Sequence, residues 1–481
     1  MHWIDILVFA LYFIAMLGVG FYFFRKNTDL DDYYVGGRDM GSAHIGLSVV
    51  ATDVGGGFSI GLGGLGFLMG VSGSWMLFTG LIGAWLSAVL LIPKVVKLGK
   101  EHSFHTFPQI FGHYYNGKVA LVAGIISGIG YIGFTSSQIL AGAKLASATI
   151  EPLNLEWALI IMGIIVVGYT VMGGIKAVIY TDTIQWAILM GGLVFIGIPI
   201  CYQAVGGWDT IQATLSPEML QLSNITWQQC LNWAVTIIPI WFVGMTLYQR
   251  IFASRNEKTA KRAWFIAGLF EWPIMAFMGV LLGLFARVAL EQGMFAEMGY
   301  TSINNMDAEM GLPILLKVAL PVGFMGLMLS AYFSAIMSTA DSCLMAASGN
   351  ILSDVVKKLF PGQNPKARII EAQGITLLIG IAGVLLATYL QNVLELMLYS
   401  YAFMVSGLFV PILGGLYLKR PSPAAALTAM LLGGTVTLVL IFLDVVLPFG
   451  LDANIFGITA SAVSFATVQF AVVSRTAAGQ L

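Results

Sequence analysis

The stretch Ala51-Thr52-Asp53-Val54-Gly55-Gly56-Gly57 places one carboxylate and three successive glycines inside a long apolar run. A charged side chain at the centre of a bilayer costs about 2.5–3.5 kcal/mol on insertion scales, so such a residue usually has a function. Three glycines in a row favour a break in the helix, because glycine is a poor helix former. Interrupted helices near the middle of the membrane are where secondary transporters bind ions and substrates. The stretch therefore predicts a transport site.

The composition of the chain indicates a membrane protein. The chain has 481 residues, of which 58% are hydrophobic and 10% are charged, whereas soluble proteins carry about 25% charged residues. Apolar runs of about 20 residues recur from end to end, and this length crosses a hydrocarbon core of about 30 Å. We expect one all-α polytopic domain, residues 1–481, in the lipid bilayer. The net charge of −1 gives no reason to expect nucleic acid as a partner.

The apolar runs predict about thirteen transmembrane spans. Their approximate limits are 4–24, 43–70, 73–96, 119–147, 157–173, 180–204, 229–249, 263–288, 312–347, 369–390, 393–417, 423–446 and 450–473. With the N-terminus outside, all of the 23 basic residues except Lys144, Arg287 and Lys317 fall on inner segments. Basic loops concentrate on the cytoplasmic side, so this distribution predicts an outer N-terminus and a cytoplasmic C-terminus in the cell membrane.

A second informative segment carries small hydroxyl residues. Ala335, Ser338, Thr339 and Ser342 are spaced to share one face of a helix. Taken alone, this spacing is most typical of packing between membrane helices. A hard cation such as sodium, however, prefers oxygen ligands. Two adjacent hydroxyls, with carbonyls freed at the break near Val54, would supply about five neutral oxygens for such an ion.

The third informative segment is residues 169–185. Two apolar spans are joined there by a short turn at Gly173-Gly174, and Asp182 opens the second span. An acid at the start of a helix is stabilised by the helix dipole, which is one interpretation of Asp182. The other is that Asp182 relays a cation towards the inner side.

The three segments, in this order and spacing, resemble the sodium/solute symporter family, which includes sodium-coupled proline, glucose, pantothenate, sialic acid and choline carriers. The resemblance runs from residues 31–38 to Lys419-Arg420. It implies a LeuT-type fold of five plus five helices in inverted repeats, with one extra helix before them and two after. The corresponding parts are 1–42, 43–204 for the first repeat, 229–417 for the second repeat, and 423–481. Spans 43–70 and 229–249 would be the broken first helices of the two repeats.

The resemblance also implies a sodium site between the first repeat helix and the eighth. Asp182 matches the family's acid near the inner sodium exit. Carried over by position, the sodium ligands are the carbonyls of Ala51, Val54 and Ala335 and the hydroxyls of Ser338 and Thr339.

The solute site is less defined by the sequence. Asp53 matches the aspartate of proline-type carriers, whereas choline carriers have a tryptophan there that forms part of an aromatic cage. An amino acid or another amine-bearing zwitterion is therefore the favoured solute. The candidate solute-binding residues are Asp53, Gly55, Gly56, Gly57, Gln138 and Trp241.

The expected function is sodium-coupled import of a small organic solute by alternating access, with the protein a monomer or weak homo-oligomer. A sugar or carboxylate carrier with the same fold is one alternative. Another is proton coupling, in which Asp53 or Asp182 titrates. A channel would need filter rings of charged side chains or carbonyls, and none is visible in the sequence. A membrane-embedded enzyme is not favoured, because neither HExxH nor GxSxG with a plausible histidine partner is present.

Overall fold

A computed structural model describes residues 2–24, 40–357, 365–443 and 445–478 of the chain. Within those ranges the backbone is almost entirely helical, and the β-structure is limited to one isolated bridge between Met40 and Ser254. The expected all-α class is confirmed. The 31–38 motif lies outside the described residues.

The helices are numbered in chain order. They are α1 Trp3–Phe24, α2 Ser42–Val54, α3 Gly56–Met69, α4 Trp75–Leu90, α5 Ile92–His102, α6 Pro108–Tyr114, α7 Gly117–Thr149, α8 Leu155–Gly192, α9 Ile198–Ala204, α10 Gly207–Thr214, α11 Trp227–Val243, α12 Met245–Ala253, α13 Glu257–Leu269, α14 Ala276–Glu291, α15 Ala308–Ala319, α16 Phe324–Asn350, α17 Pro365–Tyr389, α18 Val393–Tyr417, α19 Pro423–Phe442 and α20 Ala453–Ala478.

Nine helices in the described part of the chain are long and apolar enough to cross a membrane, or ten if the bent pair α11–α12 counts as one span. Three shorter apolar helices accompany them, Trp3–Met16, Ser42–Thr52 and Leu155–Gly168. The chain is therefore a multi-pass membrane protein, but the predicted number of thirteen spans is not confirmed.

Both predicted broken helices are interrupted in the structure. Helix α2 ends at Val54 and α3 begins at Gly56, so the first break falls at Gly55. Helices α11 and α12 meet at Gly244 with a bend of 40°. The glycine at the first break allows close packing, because a Cβ added at Gly55 would lie 2.5 Å from the Oε1 atom of Gln138.

The predicted turn between spans 157–173 and 180–204 was wrong. Helix α8 runs from Leu155 to Gly192 and includes Gly173-Gly174. Asp182 therefore lies in the interior of a helix and does not open one. Each glycine lowers helix stability by about 1 kcal/mol relative to alanine, and a pair of them does not by itself end a helix.

The predicted span 312–347 was also wrong at its start. The chain forms a separate short helix, α15, before α16. Pro321 has no backbone N–H to continue a helix, and Gly323 adopts a φ of 89°. These two residues separate the helices.

Helix α16 forms the centre of the bundle, and nearly all of its residues are buried. It packs against α7, α8 and α1 and against both halves of the first broken helix. This position brings the hydroxyl face of α16 to the break at Gly55.

Candidate ion and solute site

The hydroxyl of Thr339 lies among backbone carbonyls at the end of α2. Its Oγ1 atom is 2.8 Å from the carbonyl oxygen of Thr52, 3.2 Å from that of Ala51 and 3.2 Å from that of Ala335. A hydroxyl has one proton to donate, so it cannot fully satisfy three acceptors at once. The result is a buried group of neutral oxygens, and it includes the predicted positions Ala51, Ala335 and Thr339.

Gln138 explains why the Thr52 carbonyl is available. In an unbroken helix that carbonyl would accept a hydrogen bond from the N–H of Gly56. The N–H of Gly56 instead donates to the Oε1 atom of Gln138 at 2.6 Å. At the break, the N–H of Gly56 therefore bonds to a side chain of α7, and the carbonyl of Thr52 accepts a hydrogen bond from Thr339. Thr52 is not recognisable from the sequence, because its free carbonyl depends on the tertiary contact between Gly56 and Gln138.

The remaining predicted hydroxyl points elsewhere. Ser338 donates to the Oδ1 atom of Asp182 at 2.5 Å, and Ser48 donates to the other carboxylate oxygen. All three residues are fully buried. Ser338 and Asp182 are thus joined to each other, one residue away from the Thr339 oxygen group.

A buried arginine completes this cluster. Arg250 of α12 and Asp182 are both 0% exposed, and the Nη2 atom of Arg250 lies 3.3 Å from the Oδ2 atom of Asp182. The guanidinium also donates to the hydroxyls of Ser48 at 3.0 Å, Thr52 at 2.6 Å and Ser342 at 2.7 Å. One side chain therefore connects α2, α8, α12 and α16.

In the sequence, Arg250 resembles the other basic residues of the inner segments. One feature of the sequence does indicate a special role, because Arg250 lies in α12, the short helix that directly follows the second break. A charged residue directly after an interrupted membrane helix is typical of a functional position.

A second buried acid lies on the same helix as the hydroxyls. The Oδ1 atom of Asp341 accepts a hydrogen bond from Thr170 at 2.5 Å. Its Oδ2 atom has no hydrogen-bond partner within the described part of the protein. The region between α8 and α16 therefore holds two carboxylates and one guanidinium, and the carboxylates exceed the cations there by one.

The comparison with family models decides the family. Residues 33–433 match the model of the sodium:solute symporter family.

The chain belongs to the sodium:solute symporter family.

Curated relatives of this symporter are transporters. It is 28% identical over 451 residues to the osmoregulated proline transporter OpuE of Bacillus subtilis, covering 91% of this chain and 88% of that protein. It is 24% identical over 457 residues to the sodium/pantothenate symporter of Escherichia coli, covering 92% and 91%. The symporter is thus a membrane transporter of a small organic solute.

A solved structure supports the LeuT-type fold of the symporter. The chain aligns with a Na⁺-coupled sialic acid symporter, described in a substrate-bound outward-open state, with a TM-score of 0.77. The alignment covers 97% of each chain at 21% identity. The predicted fold class is confirmed.

Among the predicted solute-binding residues of the symporter, the three glycines and Gln138 lie together. A Cβ on Gly56 would lie 3.0 Å from Cγ1 of Ile336, and one on Gly57 would lie 2.5 Å from Sδ of Met397. In the described state the break is therefore packed directly against α16 and α18.

Trp241 lies in a different environment. It is 1% exposed, its ring is edge-on to Trp264 at 6.4 Å, and a Cβ added at Gly83 would lie 2.9 Å from its Cγ. These contacts pack Trp241, a residue of α11, against α4 and α13. The side chains of Asp53 and Val54 lie outside what the structure describes.

A second ionic cluster connects α7, α15 and α18 at the predicted outer end of the symporter. Lys144 of α7 is 3% exposed and lies 2.6 Å from carboxylate oxygens of both Asp307 and Glu309. Glu309 also accepts hydrogen bonds from the backbone N–H groups of Val393 and Leu394, each at 2.9 Å. The loop before α15 is thus fixed both to α7 and to the N-terminus of α18, where a negative charge is favourable.

Proposed function

We propose that this symporter imports an amine-bearing zwitterion, an amino acid such as proline, together with sodium by alternating access. The observation that carries the proposal is the group of neutral oxygens around Thr339, where carbonyls freed by the broken helix meet a hydroxyl of α16. Neutral oxygens suit a hard monovalent cation that must be bound and then released.

The proposed sodium ligands are the carbonyls of Ala51, Val54 and Ala335 and the hydroxyls of Ser338 and Thr339. The structure adds the carbonyl of Thr52 as a candidate, since it lies 2.8 Å from Thr339 Oγ1. Ser338 now donates to Asp182. A rotation about its χ1 angle would turn its oxygen towards sodium and release Asp182.

Asp182 is proposed as the residue that receives sodium on its way to the inner side. Its carboxylate already contacts Ser338, which would have been a ligand of the bound ion. Arg250 forms an ion pair with the same carboxylate and would compete with sodium for it. This competition would prevent the ion from remaining at Asp182.

The solute is proposed to bind beside residues 55–57, in contact with Asp53 and Gln138. Trp241, the other predicted solute-binding residue, packs against α4 and α13 in the described state. The OpuE relative supports an amino acid, and Asp53 would pair with the amine of the solute. The pantothenate relative supports the alternative of a carboxylate solute. Asp53 would repel such a solute, and for this reason the zwitterion is preferred.

The membrane arrangement is part of the proposal. The N-terminus lies outside and the C-terminus in the cytoplasm, and the repeats are 43–204 and 229–417. One sodium ion entering down the membrane potential gains about 2.3 kcal/mol per 100 mV, and a tenfold sodium gradient adds about 1.4 kcal/mol. Together they support solute accumulation of about several hundredfold per sodium ion.

The proposal is tested on the purified full chain in proteoliposomes. Uptake of radiolabelled proline, glycine betaine, pantothenate and galactose is measured at fixed pH, with a sodium gradient and with a potassium gradient. We expect sodium to drive uptake of proline or another zwitterion. Sodium-driven uptake of pantothenate or galactose alone would overturn the solute class, and uptake driven equally by potassium would overturn sodium coupling.

A further inference from the structure

Glu271 is a fully buried carboxylate with no hydrogen-bond partner among the described residues. It is 0% exposed, and neither of its carboxylate oxygens has a hydrogen-bond partner within the described part of the protein. Buried charges in proteins are normally paired or hydrogen-bonded, because an isolated ion is very costly in an apolar medium. The buried carboxylate of Glu271 therefore requires a ligand of its own, separate from the ion at the proposed sodium site.

The backbone around Glu271 is interrupted. Residues Phe270–Met275 form a π-helical turn between α13 and α14, and Trp272 within it has non-helical angles of φ −136° and ψ 127°. π-Helical turns inside membrane helices often mark functional positions. Glu271 thus stands at an interruption between two helices of the bundle.

This interruption lies level with the break at Gly55. A Cβ added at Gly46 would lie 3.4 Å from the Cα of Ala263, and one added at Gly279 would lie 2.9 Å from the Cβ of Leu62. The segment α2–α3 therefore runs in the same direction as the segment α13–α14. The two contacts are separated by the same number of residues on both segments. Position 271 is midway between 263 and 279, just as position 54 is midway between 46 and 62. Glu271 is accordingly at the depth of the proposed solute and sodium sites.

The helix that faces the carboxylate leaves little room for an organic group. A Cβ added at Gly80 of α4 would overlap the carboxylate and would lie 3.0 Å from its Cδ atom. Helix α4 carries no ionisable side chain. A sodium ion would need about five oxygen ligands, whereas a proton needs only the carboxylate itself.

Arg262, Arg287 and Asp182, on the other neighbouring helices, are distant from Glu271 or paired elsewhere. Arg262 precedes Glu271 by about 13 Å of helix and Arg287 follows it by about 24 Å. Asp182, one turn before the Trp186 ring that contacts Phe270 at 4.8 Å, is paired with Arg250. The titratable and charged residues on the packed elements are His44 and Asp53 on α2, Glu156, Tyr169, Lys176, Tyr180 and Asp182 on α8, Glu257, Lys258, Lys261 and Arg262 on α13, and Arg287 and Glu291 on α14.

We propose that Glu271 is a proton-binding site of this symporter. In the closed state the proton is held on a carboxylate oxygen, which makes the group a neutral acid. When the bundle opens and water reaches α4, the O–H bond breaks and the proton passes to water. A proton taken up on the outer side and released on the inner side then accompanies the solute. This inference rests on the proposed function, because it assumes the same alternation of access.

The transport test uses the full chain in proteoliposomes that contain a pH-sensitive dye, with proline as the probe and a sodium gradient. We expect proline to cause internal acidification in the wild type. Glu271→Gln should retain sodium-driven proline uptake and lose the acidification. Glu291→Gln, at an exposed position near the end of α14, should behave as the wild type. Acidification that persists in Glu271→Gln, or that is absent in the wild type despite proline uptake, would overturn the proposal.

A second measurement does not depend on transport. Infrared difference spectra of wild type and Glu271→Gln at neutral pH should show the carbonyl band of one protonated carboxylic acid in the wild type only. Glu271→Asp should keep such a band. If the band is missing from the wild type, the proton site is excluded even where sodium-driven uptake succeeds. If the band is present and no solute is transported, it is the proposed function that fails.

Discussion

The guanidinium of Arg250 and the carboxylate of Asp182 lie 3.3 Å apart, and both side chains are completely buried. The pair joins α8 to α12, the short helix that follows the second break. Since Asp182 also accepts from Ser338, the same carboxylate is shared between a fixed positive charge and a proposed sodium ligand. The occupancy of the sodium site and the packing of α12 are therefore expected to depend on each other.

Removing one partner of this pair should destabilise the protein strongly. In Asp182→Asn the charge of Arg250 stays buried without compensation, and such losses cost about 3–5 kcal/mol. We expect a markedly lower melting temperature of the purified protein in detergent. The double variant Asp182→Asn with Arg250→Met should recover part of the loss, because the unpaired guanidinium is removed as well. A single variant as stable as the wild type would contradict a buried ion pair.

Removing the Thr339 hydroxyl should weaken sodium binding without affecting insertion. Thr339→Val keeps the shape of the side chain and deletes one neutral ligand, worth about 1 kcal/mol. The sodium concentration for half-maximal uptake should rise about fivefold. Ser338→Ala should shift it in the same direction.

The matched control for these variants is Thr376→Val. Thr376 is also buried and donates to the carbonyl of Ala372 in the same manner, but it lies on α17. Its sodium dependence should equal that of the wild type. Unchanged sodium dependence in both Ser338→Ala and Thr339→Val would remove the site assignment.

A methyl group at the first break should disrupt the site. The Cβ of Gly55→Ala would lie 2.5 Å from Gln138 Oε1 and 2.6 Å from the Cβ of Thr339, and overpacking of this kind costs about 1–3 kcal/mol. We expect uptake to be lost while some folded protein remains. Gly374→Ala is the control, because a Cβ there has no neighbour within 4 Å, and alanine should stabilise that helix slightly. Normal uptake in Gly55→Ala would show that the close contact is not required.

One ion pair outside the spans should make stability depend on pH. Lys317 donates to Glu151, and this hydrogen bond and the lysine charge lower the pKa of the Glu151 carboxyl. A lowered pKa stabilises the folded state above the ordinary pKa of glutamate, and the effect is lost as the pH falls through the folded value.

Glu151→Gln should accordingly lower the melting temperature slightly at pH 7 and have no effect in acid. High salt should reduce the difference, because the pair is exposed and screened. Glu297→Gln, an exposed substitution elsewhere, should show no such pH dependence. A difference that grows in acid would contradict the pairing.

Several parts of the site could be predicted from local sequence. The glycines at 55–57 predict a helix break because of their conformational freedom, and the spacing of Ser338 and Thr339 places both hydroxyls on one helix face. The buried acid at position 182 was also recognisable, although its place in the interior of α8 was not. A turn was expected at Gly173-Gly174, and the hydrogen bonding of the helix continues through it.

The sequence by itself determined that the chain is a helical membrane protein with interrupted helices, because hydropathy, charge distribution and glycine content are local properties. The tertiary structure decided which atoms meet at the interruptions. Gln138 accepts a hydrogen bond from the N–H of Gly56 and frees the Thr52 carbonyl, and Arg250 is buried beside Asp182. Glu271 lies against Gly80 with no hydrogen-bond partner in the part of the chain that the structure describes. Each of these depends on contacts between helices far apart in the chain, and the spacing of residues along one helix carries no information about them.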